Sequence, residues 1–200
     1  MQNSFISSYI NESKKILSKI NQKEIEKIIK ILLEIKKNKG RIFFIGVGGS
    51  AANTSHAVND FRKILALEAY SPTDNVSETT ANTNDEGWDS IFINYLKVSK
   101  VKKKDLVFVF SVGGGNLEKN VSPNIVRAID YAKRKKIKIV GIIGNDGGYT
   151  KKNSNACVLI PVVNDKHITP HSEGMQAVIW HMIVSHPKLK VNKTKWESLK

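Results

Sequence analysis

Two pairs of polar side chains stand out by type and spacing. His56 and Asp60 are four residues apart in a stretch read as a helix, so they share one face and can converge on one ion or one substrate. The same spacing also suits a surface ion pair. Glu173 and His181 lie eight apart in a late stretch that is otherwise apolar, beginning His171-Ser172-Glu173-Gly174-Met175-Gln176 and continuing through residues 177–182. Eight residues is slightly more than two helical turns, which keeps the pair roughly on one side. For His181 alone, a buried imidazole satisfied by a backbone carbonyl is an equally open reading. An imidazole beside a carboxylate is equipment for proton transfer or for holding a divalent cation. His167 and His186 read as loop residues and receive no role.

Three glycine-rich turns follow apolar runs. The first, Gly46-Val47-Gly48-Gly49-Ser50, comes directly after Phe43-Phe44-Ile45 and opens a helix. Glycine lets backbone approach a ligand closely, and the free N–H groups of a helix start favour a phosphate or a sugar oxygen. The second, Ser111-Val112-Gly113-Gly114-Gly115-Asn116, follows residues 106–110 and has the composition of an anion nest. The third, Gly144-Asn145-Asp146-Gly147-Gly148, also suits a plain tight turn. A dinucleotide fingerprint is a competing reading of the first turn, with Ala51 at the third glycine position and Glu68 near the place of a ribose-binding acid. That reading leaves the second glycine turn without a purpose.

The elements that must position these groups follow from periodicity. Phe5, Tyr9, Ile10, Ile16, Leu17 and Ile20 recur at helical spacing, as do Ile25, Ile28, Ile29, Leu32, Leu33 and Ile35. Residues 3–38 therefore read as two helices whose apolar stripes need a partner, either the sheet or another subunit. From Arg41 the pattern becomes short apolar runs: 41–45, a short 67–70, 106–110, 137–143 and 156–161. Candidate helices lie between them at about 51–64, 88–99, 124–136 and 171–185. Continuous apolar runs indicate strands covered on both faces. The expected fold class is α/β, a three-layer doubly wound parallel five-stranded sheet with an N-terminal helical arm. We expect one domain: arm 1–39, α/β core 40–186, and basic tail 187–200.

Composition narrows the function classes. Two hundred residues with 40% apolar content support one well-buried domain. No stretch reaches the roughly 18 apolar residues of a membrane helix, and no signal-peptide pattern opens the chain, so a cytoplasmic protein without membrane contact is expected. The lone Cys157 excludes an internal disulfide and a cysteine zinc cluster, and reads as a buried strand residue. The formal charge of +14 attracts phosphates of any origin. It comes from 28 Lys against 4 Arg, spread along the chain, which suits solvated helix faces and argues against a nucleic-acid partner.

The order of these features resembles the sugar-isomerase (SIS) domain family, and within it the phosphoheptose isomerases, over residues 5–185. The residues that carry the resemblance are Gly46-Val47-Gly48-Gly49-Ser50, Asn84-Asp85-Glu86-Gly87, Gly144-Asn145-Asp146-Gly147-Gly148, and the Glu173 to His181 spacing. The resemblance implies an aldose–ketose isomerase acting on sedoheptulose 7-phosphate, a homotetramer with shared sites, and zinc or another divalent metal. It places substrate contacts at Gly48, Gly49, Ser50, Asn84, Asp85, Ser111, Gly113, Gly114, Gly115 and Asn116. It makes His56, Asp60, Glu173 and His181 the metal ligands, with His181, Asp60 and Glu173 also sharing the proton transfers. Three departures stand out. Asp60 replaces the usual Glu, Glu173 replaces the usual Gln, and the serine-rich phosphate loop is replaced by Ser111 to Asn116 with an added segment 117–123.

Overall fold

The computed structural model describes residues 4–199. Five strands form one all-parallel sheet in the order β2-β1-β3-β4-β5: β1 Ile42–Ile45, β2 Ala69–Tyr70, β3 Leu106–Ser111, β4 Lys138–Ile143 and β5 Ala156–Leu159. Eight α-helices surround it: α1 Phe5–Lys19, α2 Gln22–Lys37, α3 Gly49–Leu65, α4 Val76–Glu86, α5 Ile91–Val98, α6 Pro123–Arg134, α7 Gly148–Asn153 and α8 Ile168–Val184. The register pairs Ile42 with Ala69 on one side and with Leu106 on the other.

Alternation within the apolar runs divides the core into two layers, because successive strand residues point to opposite faces. Ile42, Phe44, Leu106, Phe108, Phe110, Val140 and Ile142 pack against α2, α3 and α8. Phe43, Ile45, Val107, Val109, Ile139 and Ile143 pack against α5 and α6. Both faces are therefore dry, as the unbroken apolar runs required. Aromatic rings knit the first layer: Phe44 stacks on Phe108 with centroids 5.0 Å apart, and Phe110 stacks on Trp180 at 5.7 Å.

The two N-terminal helices part company. α2 buries Ile25, Ile28, Ile29, Leu32 and Ile35 on the sheet, and Glu24 Oε2 accepts the Cys157 N–H at 3.1 Å. α1 buries only Ile16 and leaves Phe5, Ile6, Ile10 and Leu17 exposed. It is fixed instead by Glu12, whose carboxyl is drawn down to about 2 by hydrogen bonds from Asn164, His171 and His167. Cys157 lies on β5, where burial pushes its thiol up to about 12. The tail is partly docked. Leu189 is buried in the first layer, and the Val191 N–H donates to the Ile64 carbonyl at 3.1 Å.

Two helices lie outside the sequence expectation. α4 buries none of its residues and so has no apolar stripe to detect, although Asn75 caps it by accepting the Glu78 N–H at 3.2 Å. α7 spans only six residues behind a glycine turn. At the opposite end of the sheet from the glycine turns, Asp105 is fully buried. It accepts from the Arg41 backbone N–H (2.9 Å), the Arg41 guanidinium (2.8 Å) and the Lys102 N–H (2.8 Å). Asp105→Ala is expected to cost about 2 kcal/mol by orphaning those donors. The check is the urea midpoint of the variant; an unchanged midpoint would mean that water replaces the carboxylate.

Candidate active site

The sheet order reverses at β1, with β2 on one side and β3 on the other, and ligands in open α/β sheets bind at this switch point. The first two glycine turns leave the adjacent ends of β1 and β3. Gly48 adopts φ +63°, which favours glycine, and a β-carbon there would meet nothing within 4 Å; one on Gly113 would likewise meet nothing. Both turns therefore have free space beside them at the ends of neighbouring strands.

α3 and α8 run side by side in the same direction, and cross-links along the seam set the site. Asn53 Nδ2 donates to the Glu173 carbonyl (2.9 Å) and to Gln176 Oε1 (2.8 Å), and Gln176 Nε2 donates to the buried Ser50 Oγ (3.1 Å). One turn further on, Trp180 Nε1–H donates to Asp60 Oδ2 at 3.3 Å. Asn53, Gln176 and Trp180 escaped the sequence reading. Their polar atoms act on partners more than a hundred residues away, and no local spacing reports that.

Three of the four expected ligand residues converge. His181 Nε2 lies 3.3 Å and His56 Nε2 3.6 Å from the same Asp60 Oδ2, and the two imidazole centroids are 5.2 Å apart. Asp60 is buried, while both imidazoles are half-exposed. His181 Nδ1 donates to the Ala177 carbonyl at 2.8 Å. Nδ1 thus carries a proton, and Nε2 is the ring atom that faces Asp60. The residues fit a divalent cation: tetrahedral ligands bound at about 2.0–2.1 Å lie about 3.3 Å apart, close to the separations here. That bond also resolves the open question about His181, since its backbone partner orients the ring without consuming Nε2.

Glu173 is placed apart from these three. Its carboxylate rests on Gly49, leaving no room there for a β-carbon. The reason is helical rise: eight residues at 1.5 Å carry Glu173 about 12 Å from His181 along α8. The four-residue set thus becomes a group of three, His56, Asp60 and His181, within one chain. Three donors leave a coordination position for substrate, as catalytic sites require.

The second turn is tightly braced. Ser111 Oγ accepts the Gly114 N–H at 2.9 Å, and the Asn116 N–H and carbonyl pair with Val121, closing segment 116–121 into a small loop. Asn116 Oδ1 accepts the Lys119 N–H at 2.8 Å. Gly114, at φ +72°, packs against the Gly147 carbonyl, and its own carbonyl accepts both Thr150 N–H (2.9 Å) and Thr150 Oγ1 (2.7 Å). Gly115 accepts the Tyr149 N–H at 2.8 Å. The third glycine turn is accordingly the support of the second. Asn84 and Asp85 end the exposed helix α4, with Asn84 Nδ2 on Asp85 Oδ1 at 2.8 Å.

The description "SIS domain" matches residues 8–144, more than half of the chain. The chain belongs to the SIS-domain family. Among SIS relatives, a phosphoheptose isomerase of Buchnera aphidicola subsp. Schizaphis graminum is 32% identical over 170 residues, covering 80% of this chain and 84% of that protein. The solved structure of phosphoheptose isomerase GmhA from Neisseria gonorrhoeae superposes with a TM-score of 0.77 at 21% identity, covering 90% and 94% of the two chains. The fold is shared more widely. The Vibrio vulnificus NanR protein complexed with ManNAc-6P gives a TM-score of 0.63 at 14% identity, over 90% of this chain and 58% of that one.

Proposed function

We propose that this SIS protein is an aldose–ketose isomerase that converts sedoheptulose 7-phosphate to D-glycero-D-manno-heptose 7-phosphate through an enediol. The observation that carries the reading is the meeting of His56 Nε2 and His181 Nε2 at Asp60 Oδ2, on the seam that also holds the glycine turns of the switch point. Isomerisation moves a proton between adjacent carbons, and so needs a base and a positive group for the developing oxyanion. Zinc or another first-row divalent ion held by His56, Asp60 and His181 would supply Lewis-acid polarisation of the sugar oxygens. Ala177 fixes His181 in the required tautomer, and Trp180 anchors Asp60 from the core. His181 and Asp60 share the transfers of the carbon-bound proton, while Glu173 lies at Gly49, outside the group of three. Gly48, Gly49, Ser50, Asn84 and Asp85 bind the sugar, and Ser111 with residues 113–116 receives the phosphate. Ser111 Oγ accepts from Gly114 and keeps its own proton to donate.

A homotetramer working in the cytoplasm completes this reading. It is supported by the exposed apolar residues of α1, by α4 burying nothing within one chain, and by the half-exposed imidazoles, all of which a second copy would cover. No described helix is long and apolar enough to cross a membrane. A second reading, a non-catalytic sugar-phosphate-binding regulator, is favoured by the second turn, where the Gly114 N–H is already committed to Ser111.

One experiment separates the two. Protein purified without chelator is incubated with sedoheptulose 7-phosphate and the products are resolved chromatographically. Turnover is expected, falling about a hundredfold or more in His181→Ala. Binding without turnover across a panel of keto- and aldo-sugar phosphates would replace the isomerase reading by the regulatory one.

A further inference from the structure

A second constellation of metal-ligating side chains lies at the junction of α1 with the start of α8. Glu12 Oε2 is 2.8 Å from His167 Nδ1 and 2.8 Å from His171 Nε2. Like the group at Asp60, these three donor atoms all lie within 4.8 Å of one another. His171 is buried, and the other two are largely covered. His167 and His171 are four residues apart at a helix start, a spacing that turns two imidazoles to one side. Glu12 arrives from a helix more than 150 residues away.

The hydrogen bonding at this junction gives His167 Nδ1 two alternative roles. Asn164 Oδ1 accepts the Lys166 N–H at 3.0 Å, which turns its amide nitrogen towards Glu12 Oε1 (2.8 Å) and His167 Nδ1 (3.1 Å). His167 Nδ1 thus faces a carboxylate oxygen and an N–H donor together. As an N–H, Nδ1 donates to Glu12 Oε2 and closes the network; as a bare nitrogen, its lone pair is open to a cation beside Oε2. A cation between Nδ1 and Oε2 takes the lone pairs of both, and leaves Asn164 holding Oε1 as an outer hydrogen-bond partner, the usual support of a ligating carboxylate. Opening the two 2.8 Å separations by about 0.5 Å seats an ion at ordinary bond lengths.

The surroundings suit a site of this kind. Tyr9 stacks on His171 with centroids 4.3 Å apart, and Phe5 meets His167 edge-on at 5.6 Å, covering one side with apolar rings. On the other side an open groove of about 660 Å³, lined by Ser8, Asn11, Lys15, Val162 and Asp165, reaches Glu12 and gives water or an ion a route in.

We infer that Glu12, His167 and His171 form a second binding site for a first-row divalent cation, zinc, cobalt or nickel, separate from His56, Asp60 and His181, which fastens α1 to the core. Two imidazoles and one carboxylate match the preference of these ions. Because α1 buries only Ile16, the junction is the main tie of that helix, and the cation replaces apolar burial as its anchor.

The test uses the full-length chain, stripped with chelator and titrated with Co²⁺, reading visible d–d absorption and bound equivalents. In His56→Ala/His181→Ala, one equivalent is expected to remain. Glu12→Gln added to that background is expected to weaken it at least about tenfold. His171→Asn is a second such variant, and metal-free thermal unfolding of each confirms that the chain is folded. In the His56→Ala/His181→Ala background, Co²⁺ is expected to raise the unfolding midpoint only where Glu12, His167 and His171 are all intact. Loss of all Co²⁺ from His56→Ala/His181→Ala overturns the inference and leaves the isomerase reading standing. So does binding in that background that is indifferent to Glu12→Gln and His171→Asn. A single equivalent in the wild type that survives His56→Ala/His181→Ala and disappears with Glu12→Gln supports this site and removes the metal from the proposed active site instead.

Discussion

Asp60→Asn is expected to lower kcat/KM about a thousandfold, roughly 4 kcal/mol of transition-state stabilisation, while leaving the thermal midpoint within a few degrees. The asparagine has the same shape and can still accept from Trp180 Nε1, so the α3–α8 seam survives. The charge is what disappears. Asp60 Oδ2 is the atom that both imidazole Nε2 positions face, and without its negative charge the group of three holds a divalent ion far more weakly. Asp60→Glu, which restores the charge one methylene further out, should keep activity within about tenfold of the parent. Steady-state kinetics and thermal unfolding on the same preparations decide the matter. Activity within threefold of wild type in Asp60→Asn would remove Asp60 from the chemistry.

Gly114→Ala is expected to destabilise the protein by about 3 kcal/mol, whereas Gly113→Ala next to it should stay within about 0.5 kcal/mol. Gly114 sits at φ +72° with the Gly147 carbonyl where a β-carbon would go, and neither backbone can retreat. Thr150 donates twice to the Gly114 carbonyl, and Gly144 N–H donates to Ser111 at 3.1 Å, so the two turns are locked together. A β-carbon on Gly113 points into open space. Its stability is therefore spared, but the same space is where the proposed phosphate enters, and KM should rise. Urea midpoints of the pair test the first claim, and substrate titration of Gly113→Ala tests the second. Equal midpoints would mean that the second turn moves freely from the third.

Much of the fold was legible because its signals are local. The apolar runs at 42–45, 106–111 and 138–143 are strands buried on both faces, and the helices between them were anticipated within a few residues. α4 escaped because its sequence, VSETTANTNDE, carries no apolar stripe and buries nothing in one chain. The stripes of α1 and α2 looked alike, yet one covers the sheet and the other holds on through a carboxylate. The third glycine turn was ambiguous for a similar reason. Its glycines answer to the backbone of the second turn, and a window of five residues cannot show that neighbour.

The candidate site divides along the same line. His56 and Asp60 follow from the sequence, because an i, i+4 spacing on a helix fixes a common face whatever surrounds it. The glycine turn at the head of α3 follows for the same reason: a strand followed by glycines and a helix start exposes its backbone N–H groups. Only the tertiary structure brought His181 to them and set Glu173 on Gly49, because the relation between α3 and α8 is set by packing across the sheet, through Trp180, Gln176 and Asn53. Only the tertiary structure joined Glu12 to His167 and His171. Their separation along the chain carries no periodic trace, and the contact exists because α1 is laid across the start of α8.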